Sequence, residues 1–266
     1  MKIYAISLVK NEADILNLSI QKALNWADKI FILDNGSYDG AELILDSIQS
    51  DRVILYGSTE ETYKDSFRQR LFESFRHELN DGDWVAFLIT DEFFIDDPRV
   101  FLSDLRSHVS VVYGLNVEYQ FTEDNLKNSK GFDFDNFEFF KLPSCEIRFF
   151  KYRNKLRWNE NDSLPKHIGI PSIKMLPYAH YQFRNPDQIT TKLNDRFMAL
   201  NNGYSAYWER DIGKTWNDKL TPKTECFSVE NPEELRRLIK QVNIRIPESN
   251  IVLFFKYILH ALKIWA

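Results

Sequence analysis

The stretch Trp84-Val85-Ala86-Phe87-Leu88-Ile89-Thr90-Asp91-Glu92-Phe93 constrains the fold more than any other part of this chain. Its apolar run reads as a buried strand, and it stops abruptly in two acids. Asp91 and Glu92 cannot both be core residues without partners, because burying an unpaired carboxylate is too costly. The strand is therefore expected to end at an edge of a sheet. In an alternating α/β chain, the C-terminal edge of the strands is where open sheets bind ligands.

The flanking sequence supplies the alternation. Ile3 to Val9 reads as a buried strand that runs straight into Lys10-Asn11-Glu12, with no small-residue cleavage site, so a strand is expected here and not a signal peptide. Ala13 to Trp26 carries apolar residues at Ile15, Leu16, Ile20, Ala23 and Leu24, which is helical spacing. Lys29 to Leu33 reads as a second strand, closed by Asp34-Asn35-Gly36-Ser37, and Asp39-Gly40 leads into a helix over roughly 41–48. Arg52 to Tyr56 reads as a third strand. Ser66 to Leu79 reads as a helix carrying Arg68, Arg70, Arg76 and His77, and Asn80-Asp81-Gly82-Asp83 turns into the fourth strand. Strands separated by helices in this order predict a parallel, doubly wound, Rossmann-like α/β sheet flanked by helices.

The second half is less regular. Val109 to Gln120 and Glu146 to Lys151 read as strands, and Thr122 to Phe140 between them as a long loop with local structure. A helix is expected from Asn185-Pro186 to about Leu200. Ile251 to Ala266 is nearly all apolar, with Lys256, His260 and Lys263 on one helical face and Phe254, Phe255, Ile258, Leu259, Leu262 and Trp265 over most of the rest. A bilayer span needs about 20 residues, so this segment is too short to cross one. A terminal helix docked on the core is the first expectation, and an interfacial membrane or partner-binding helix the second.

Composition excludes some classes. The formal net charge is −5, which argues against a general nucleic-acid binder. The two cysteines, Cys145 and Cys226, form no metal or disulfide pattern, so a cytoplasmic setting is the default. The 21 Phe residues predict first a Phe-rich core and only second aromatic platforms for ligands.

Three polar segments fall at the ends of the first, second and fourth strands: Lys10-Asn11-Glu12, Asp34-Asn35-Gly36-Ser37 and Asp91-Glu92. Val9-Lys10-Asn11-Glu12, then Ile32-Leu33-Asp34-Asn35-Gly36-Ser37-Tyr38-Asp39-Gly40, then Asp83-Trp84 through Phe93, resembles the family 2-like bacterial glycosyltransferases of the GT-A fold. His180-Tyr181-Gln182-Phe183-Arg184, with Pro186, Gln188-Ile189, Lys192 and Arg196 after it, is similar to a further segment of the same group. The resemblance covers roughly Lys2 to Arg196. It implies a GT-A domain over 1–200, with a nucleotide-binding half over about 1–95 and an acceptor half over about 96–200. Residues 201–266 would be a C-terminal extension ending in the amphipathic helix.

The resemblance also implies roles. The donor would be a nucleotide-sugar, most often a UDP-sugar. Asp34 would recognise the base, with Asn35 and Ser37 in a turn facing the nucleoside. Val9, Asn11 and Glu12 would line base and ribose, and Arg68 would approach the base or phosphates. Asp91, with Thr90 beside it, would bind Mg²⁺ or Mn²⁺ bridging the diphosphate, and His180 would complete the metal site. The acceptor would be a saccharide or a lipid-linked saccharide. Asp162 or Glu160 would deprotonate its hydroxyl, Trp158 would stack on a sugar ring, and His167 would belong to the same loop. Inversion of stereochemistry is implied by the resemblance alone. Peripheral membrane contact through 251–266 is expected at the inner face of the membrane, and the oligomeric state is left open.

The chain departs from the family at Ile89, where most relatives carry the first Asp of an Asp-x-Asp pair. Ile89 cannot ligate metal or hold ribose. It motivates a second reading, a catalytically degenerate nucleotide-binding or scaffold protein of the same fold. A nucleotidyltransferase is a third, but it would normally carry a Gly-rich, basic phosphate loop after the first strand, and Lys10-Asn11-Glu12-Ala13 is not one.

Overall fold

The structure is a computed structural model that describes residues 1–64, 66–127, 132–203, 207–241 and 244–262. The first part alternates as expected: β1 (Ile3–Val9), α1 (Leu16–Ala23), β2 (Lys29–Asp34), α2 (Ala41–Ile48), β3 (Val53–Ser58), α3 (Phe67–Phe75) and β4 (Trp84–Phe87). Then follow β5 (Glu92–Phe94), α4 (Pro98–Ser103), β6 (Val109–Tyr119), β7 (Phe140–Lys141), β8 (Cys145–Lys151), β9 (Ile170–Pro171) and β10 (Leu176–His180). The chain ends with α5 (Pro186–Asn201), α6 (Pro232–Gln241) and α7 (Asn250–Ala261). The strand order is β3-β2-β1-β4-β8-β6-β10-β5, with β7 and β9 also paired to β6.

The fold is α/β and Rossmann-like, with one difference from the parallel sheet expected. The β3-β2-β1-β4 block is parallel, but β8 joins β4 and β6 antiparallel, so the sheet is mixed. Strand residues alternate between two cores, as period-two geometry requires. Ile3, Ala5, Ile30, Ile32, Trp84 and Ala86 face the layer containing Leu16 and Ile20 of α1 and Leu45 of α2. Tyr4, Ile6, Phe31, Leu33, Val85 and Phe87 face the layer containing Phe67, Leu71, Phe72 and Phe75 of α3. Helices thus cover both faces. The Phe-rich composition is a core device, with Phe31 and Phe75 stacked at 4.0 Å.

Several element boundaries moved, two of them near the site. The fourth strand stops at Phe87; the chain then turns through Thr90-Asp91, and Glu92 starts β5. Helix α1 spans only Leu16–Ala23, because Glu12 O accepts from the N–H groups of Ile15 and Leu16 and opens the helix late. Helices α4 and α6 and the strands β5, β7, β9 and β10 had no counterpart in the sequence reading.

The chain divides into two compact units. The first comprises 1–115, 145–178 and 246–266, and the second 116–144 and 179–245. In the second unit, Tyr119 stacks on Tyr181 at 4.8 Å, with Phe132, Phe134 and Phe137 set edge-on or tilted around Tyr181. Helix α5 starts at Pro186 and is capped by Asn185, whose side chain accepts from Gln188 N. Among the described residues, no helix is long and apolar enough to cross a membrane. Lys263 and Trp265 lie outside the described residues, as does the His260 side chain.

Candidate functional site

Two of the polar segments singled out in the sequence are bound into one block at the C-terminal edge of β1 and β2. Val9 and Asp34 are partners across the parallel pair. Lys10 Nζ donates to the carbonyls of Asn35 (2.9 Å) and Gly36 (3.1 Å). Asn11 adopts left-handed backbone geometry (φ +52°), which Asn tolerates better than most residues. In this turn its N–H donates to Ser37 Oγ (3.0 Å) and its Oδ1 accepts from Tyr38 N (2.8 Å). Asp39 accepts from Ala13 N (2.9 Å) and Ala41 N (3.0 Å), tying the end of the first loop to the start of α2.

The block extends to β3. Asp34 accepts from Ser37 Oγ (2.6 Å), Ser37 N (3.1 Å) and Ser58 Oγ (3.0 Å). Asn35 Nδ2 donates to the carbonyls of Thr59 (3.2 Å) and Glu61 (2.7 Å). Asn35 is only 2% exposed, and its Oδ1 is buried with no hydrogen-bond partner. Val9, Asn11, Glu12, Asp34, Asn35 and Ser37 are thus brought together, and the polar atoms of Asn11, Asp34 and Ser37 hold the loops to one another.

At the end of β4, Thr90 and Asp91 are each 3% exposed. Phe87, the last residue of β4, gathers a cation and an indole ring. The Arg68 guanidinium lies 5.1 Å from its ring centroid, and the Trp158 ring meets it edge-on at 6.1 Å. Trp158 is not a sugar platform: it is 5% exposed, packed against Phe72 at 5.3 Å and Phe150 at 5.7 Å, so its ring belongs to the core. What it does is pin the loop after it, because its Nε1 donates to Asp162 O (2.8 Å) while the Trp158 carbonyl accepts from Gln69 Nε2 (3.3 Å). Asp162 is half-buried, with Lys166 Nζ at 3.9 Å. Glu160 is exposed. His167 is exposed and left-handed (φ +53°), and its carbonyl accepts from Arg153 (2.5 Å).

Glu92 has the partner that the sequence demanded without naming. Arg148 on β8 grips it through Nε and Nη2, both at 2.7 Å, and also donates to Tyr178 Oη (2.9 Å) and Glu146 (3.1 Å). Burial alone would lower the Arg148 pKa, but the Glu92 charge outweighs it and raises the value. Burial, then the same Glu92 charge, pushes the Tyr178 phenol far up. Gly114 makes room for this cluster: a Cβ there would lie 2.7 Å from both Arg148 Cγ and the Tyr178 ring. A charged residue inside the apolar run of Cys145 to Lys151 was the signal that could have found it.

In the second unit, the segment after His180 makes local structure. Arg184 donates to Tyr181 O (3.0 Å), Gln188 Oε1 accepts from Arg184 N (3.1 Å), and Lys192 donates to Gln182 O (3.3 Å). Arg196 is buried on Asp211 (2.6 Å), which also binds Lys219. Asp91 belongs to the first unit and His180 to the second. Among the described residues, no three His, Cys, Asp or Glu side chains converge to hold a metal ion.

No model of a protein family matches the chain, and no curated protein does. Among solved structures, the inositol-1-phosphate CTP transferase from T. maritima aligns over 76% of this chain and 98% of its own, at 12% identity and a TM-score of 0.31. A Bacillus anthracis structure described as a glucose-1-phosphate thymidylyltransferase in complex with a sucrose aligns over 92% and 98%, at 12% identity and a TM-score of 0.33. Likeness at this level assigns neither a substrate nor a residue role.

Proposed function

We propose that this chain is a glycosyltransferase moving a sugar from a nucleotide-sugar, in the first instance a UDP-sugar, to a saccharide or lipid-linked acceptor in cell-surface glycan synthesis. The observation that carries the reading is the hydrogen-bonded block of Lys10-Asn11-Glu12 with Asp34-Asn35-Gly36-Ser37, on the strand edge that Asp91 also follows. Ligands of open α/β sheets bind at that edge. A block so tightly tied holds its backbone groups in place before a nucleoside arrives, which lowers the entropy cost of binding.

The surrounding residues fit the chemistry. Arg68, held over Phe87, is a cation suited to the phosphate charge of a donor. In an inverting transfer, the acceptor oxygen bonds to the anomeric carbon while the bond to the nucleoside diphosphate breaks, and a carboxylate takes the acceptor proton. Asp162 suits that role better than Glu160, because the Trp158 bond to its carbonyl fixes its loop beside Phe87. Mg²⁺ or Mn²⁺, when bound, would neutralise charge on the departing diphosphate. The described donor set does not close around an ion, so the cation remains an addition to be measured.

Calorimetric titration with UDP, with and without Mn²⁺, tests the reading. Binding is expected, weakened about tenfold or more in Arg68→Ala if a charge-assisted contact to phosphate is lost. Absence of UDP binding under both conditions would overturn it. Ile89 supports the second reading, a nucleotide-binding relative without turnover. That reading gains if nucleotide binds but no donor is hydrolysed or transferred, and loses if turnover is seen that Asp91→Ala abolishes.

A further inference from the structure

Helix α7 is docked the reverse of what a water-soluble terminal helix requires. The sequence pattern places Lys256 on the polar strip, where water would be expected. In the structure Lys256 is on the half-buried line with Leu253 and Leu259, and pairs with Glu248 at 2.6 Å. Ile251, Val252, Phe254, Phe255, Ile258 and Leu262 are exposed, with Phe254 at 61% and Phe255 at 58%. The helix is held in this orientation by packing against β9 and by Tyr257, whose ring lies 5.3 Å from that of His108. An apolar surface of this size held outward on a short helix is a docking face.

What lies beside it names the partner. From Lys151 the chain reads Lys151-Tyr152-Arg153-Asn154-Lys155-Leu156-Arg157-Trp158, with a cation at every second position. Tyr152, Leu156 and Trp158 are buried, Lys155 and Arg157 are exposed, and Lys151 and Arg153 are half-buried beside them. This ridge begins next to α7. Lys151 donates to Ser107 O (3.2 Å), one residue from His108, and Arg153 donates to the carbonyl of His167, just before β9. Lys155 and Arg157, with Arg76, line an open cleft of about 510 Å³. Ile173, 84% exposed, and Lys174 follow β9 directly. Of the acids beside it, Glu248 is engaged on Lys256, Asp104 on Lys174, Glu73 on Arg76 and Asp81 on Asn154 N, Asp162 lies 3.9 Å from Lys166, and Glu160 is exposed. Burial first, and then the nearby Arg153 charge, lowers the pKa of Lys151.

We propose that the outward face of α7 and the Lys151–Arg157 ridge together form a docking surface for an anionic phospholipid bilayer. Apolar side chains enter the headgroup boundary while the cations meet lipid phosphates, as interfacial helices flanked by basic residues do. The twelve residues of α7 span about 18 Å, long enough to lie in an interface and too short to cross the hydrocarbon. The ridge begins beside Trp84, at the opposite end of β4 from Asp91, so docking would leave the strand edge that carries Asp91 open to solvent.

Co-sedimentation of the full chain with vesicles of phosphatidylcholine, alone or mixed with phosphatidylglycerol, tests this. Binding is expected to the mixed vesicles, falling as salt rises and weak on phosphatidylcholine alone. Phe254→Ser with Phe255→Ser should abolish it, and Lys155→Ser with Arg157→Ser should weaken it roughly tenfold or more. These side chains are exposed, so unchanged circular dichroism and melting are expected for both variants. Equal sedimentation of wild type and the Phe254/Phe255 variant would overturn the proposal, as would equal binding to both vesicle types. So would a concentration-dependent dimer in lipid-free light scattering that the Phe254/Phe255 variant dissolves, because the face would then join copies of this chain.

Discussion

Two buried ion clusters, one in each unit, solve the same problem with inverted stoichiometry. In the first unit a single cation, Arg148, serves the carboxylates of Glu92 and Glu146 and the Tyr178 hydroxyl. In the second a single carboxylate, Asp211, serves Arg196 and Lys219. The shared member decides how each cluster fails. A guanidinium stays charged at any pH a protein survives, so the Arg148 cluster keeps its shared member charged in acid. A carboxylate can be protonated, so the Asp211 cluster can be undone by acid.

The largest effect that would break this comparison is Arg148→Met. It leaves Glu92 buried without its partner and takes away a Tyr178 hydrogen bond, so a loss of about 3–5 kcal/mol is expected in chemical denaturation. A loss under about 1 kcal/mol would mean that Glu92 reaches water. Asp211→Asn should cost slightly less, about 3 kcal/mol, because the stranded Lys219 ammonium sits on a flexible stem that can turn to solvent. The acid limb sharpens this. Burial alone would raise the Asp211 pKa, but hydrogen bonds and charge from Lys219 and Arg196 hold it below the ordinary 3.8. Its stabilisation is present above the unfolded carboxylate's pKa and lost as pH falls through the lower folded value. Wild type should therefore lose stability below about pH 4 by an increment that Asp211→Asn lacks. The smallest effect is expected for Gly114→Ala, about 1–3 kcal/mol, because the new methyl group must displace Arg148 Cγ or the Tyr178 ring. A neutral result would show that the Arg148 seat is adaptable rather than shaped.

The parallel block was legible because its strands are short, apolar and closed by Gly, Asn and Asp turns, all of which are local signals. Ile3–Val9 was read to the residue and Lys29 to Leu33 to within one residue for that reason. The antiparallel remainder depends on long-range pairing, such as Val85 with Phe150, that no local pattern encodes. At the site, the sequence identified which residues gather but not what their polar atoms do. Asp34 and Ser37 were read as facing a nucleoside, yet they bond first to each other. Trp158 was read as a ligand surface from the resemblance, and only the packing of Phe72, Phe87 and Phe150 shows it to be core. For α7 the helical periodicity was legible, whereas the direction in which its apolar face points depends on tertiary docking.

Both units are built from pieces of chain that interrupt each other: the first needs 1–115, 145–178 and 246–266, the second 116–144 and 179–245. During synthesis the parallel block through β4 is available early, but its antiparallel neighbour β8 emerges only after the second unit has begun. The apolar helix α7 leaves the ribosome last of all the described elements. The first unit is therefore complete only after the whole of the second has been made, which leaves the edge of the parallel block waiting for β8 during synthesis.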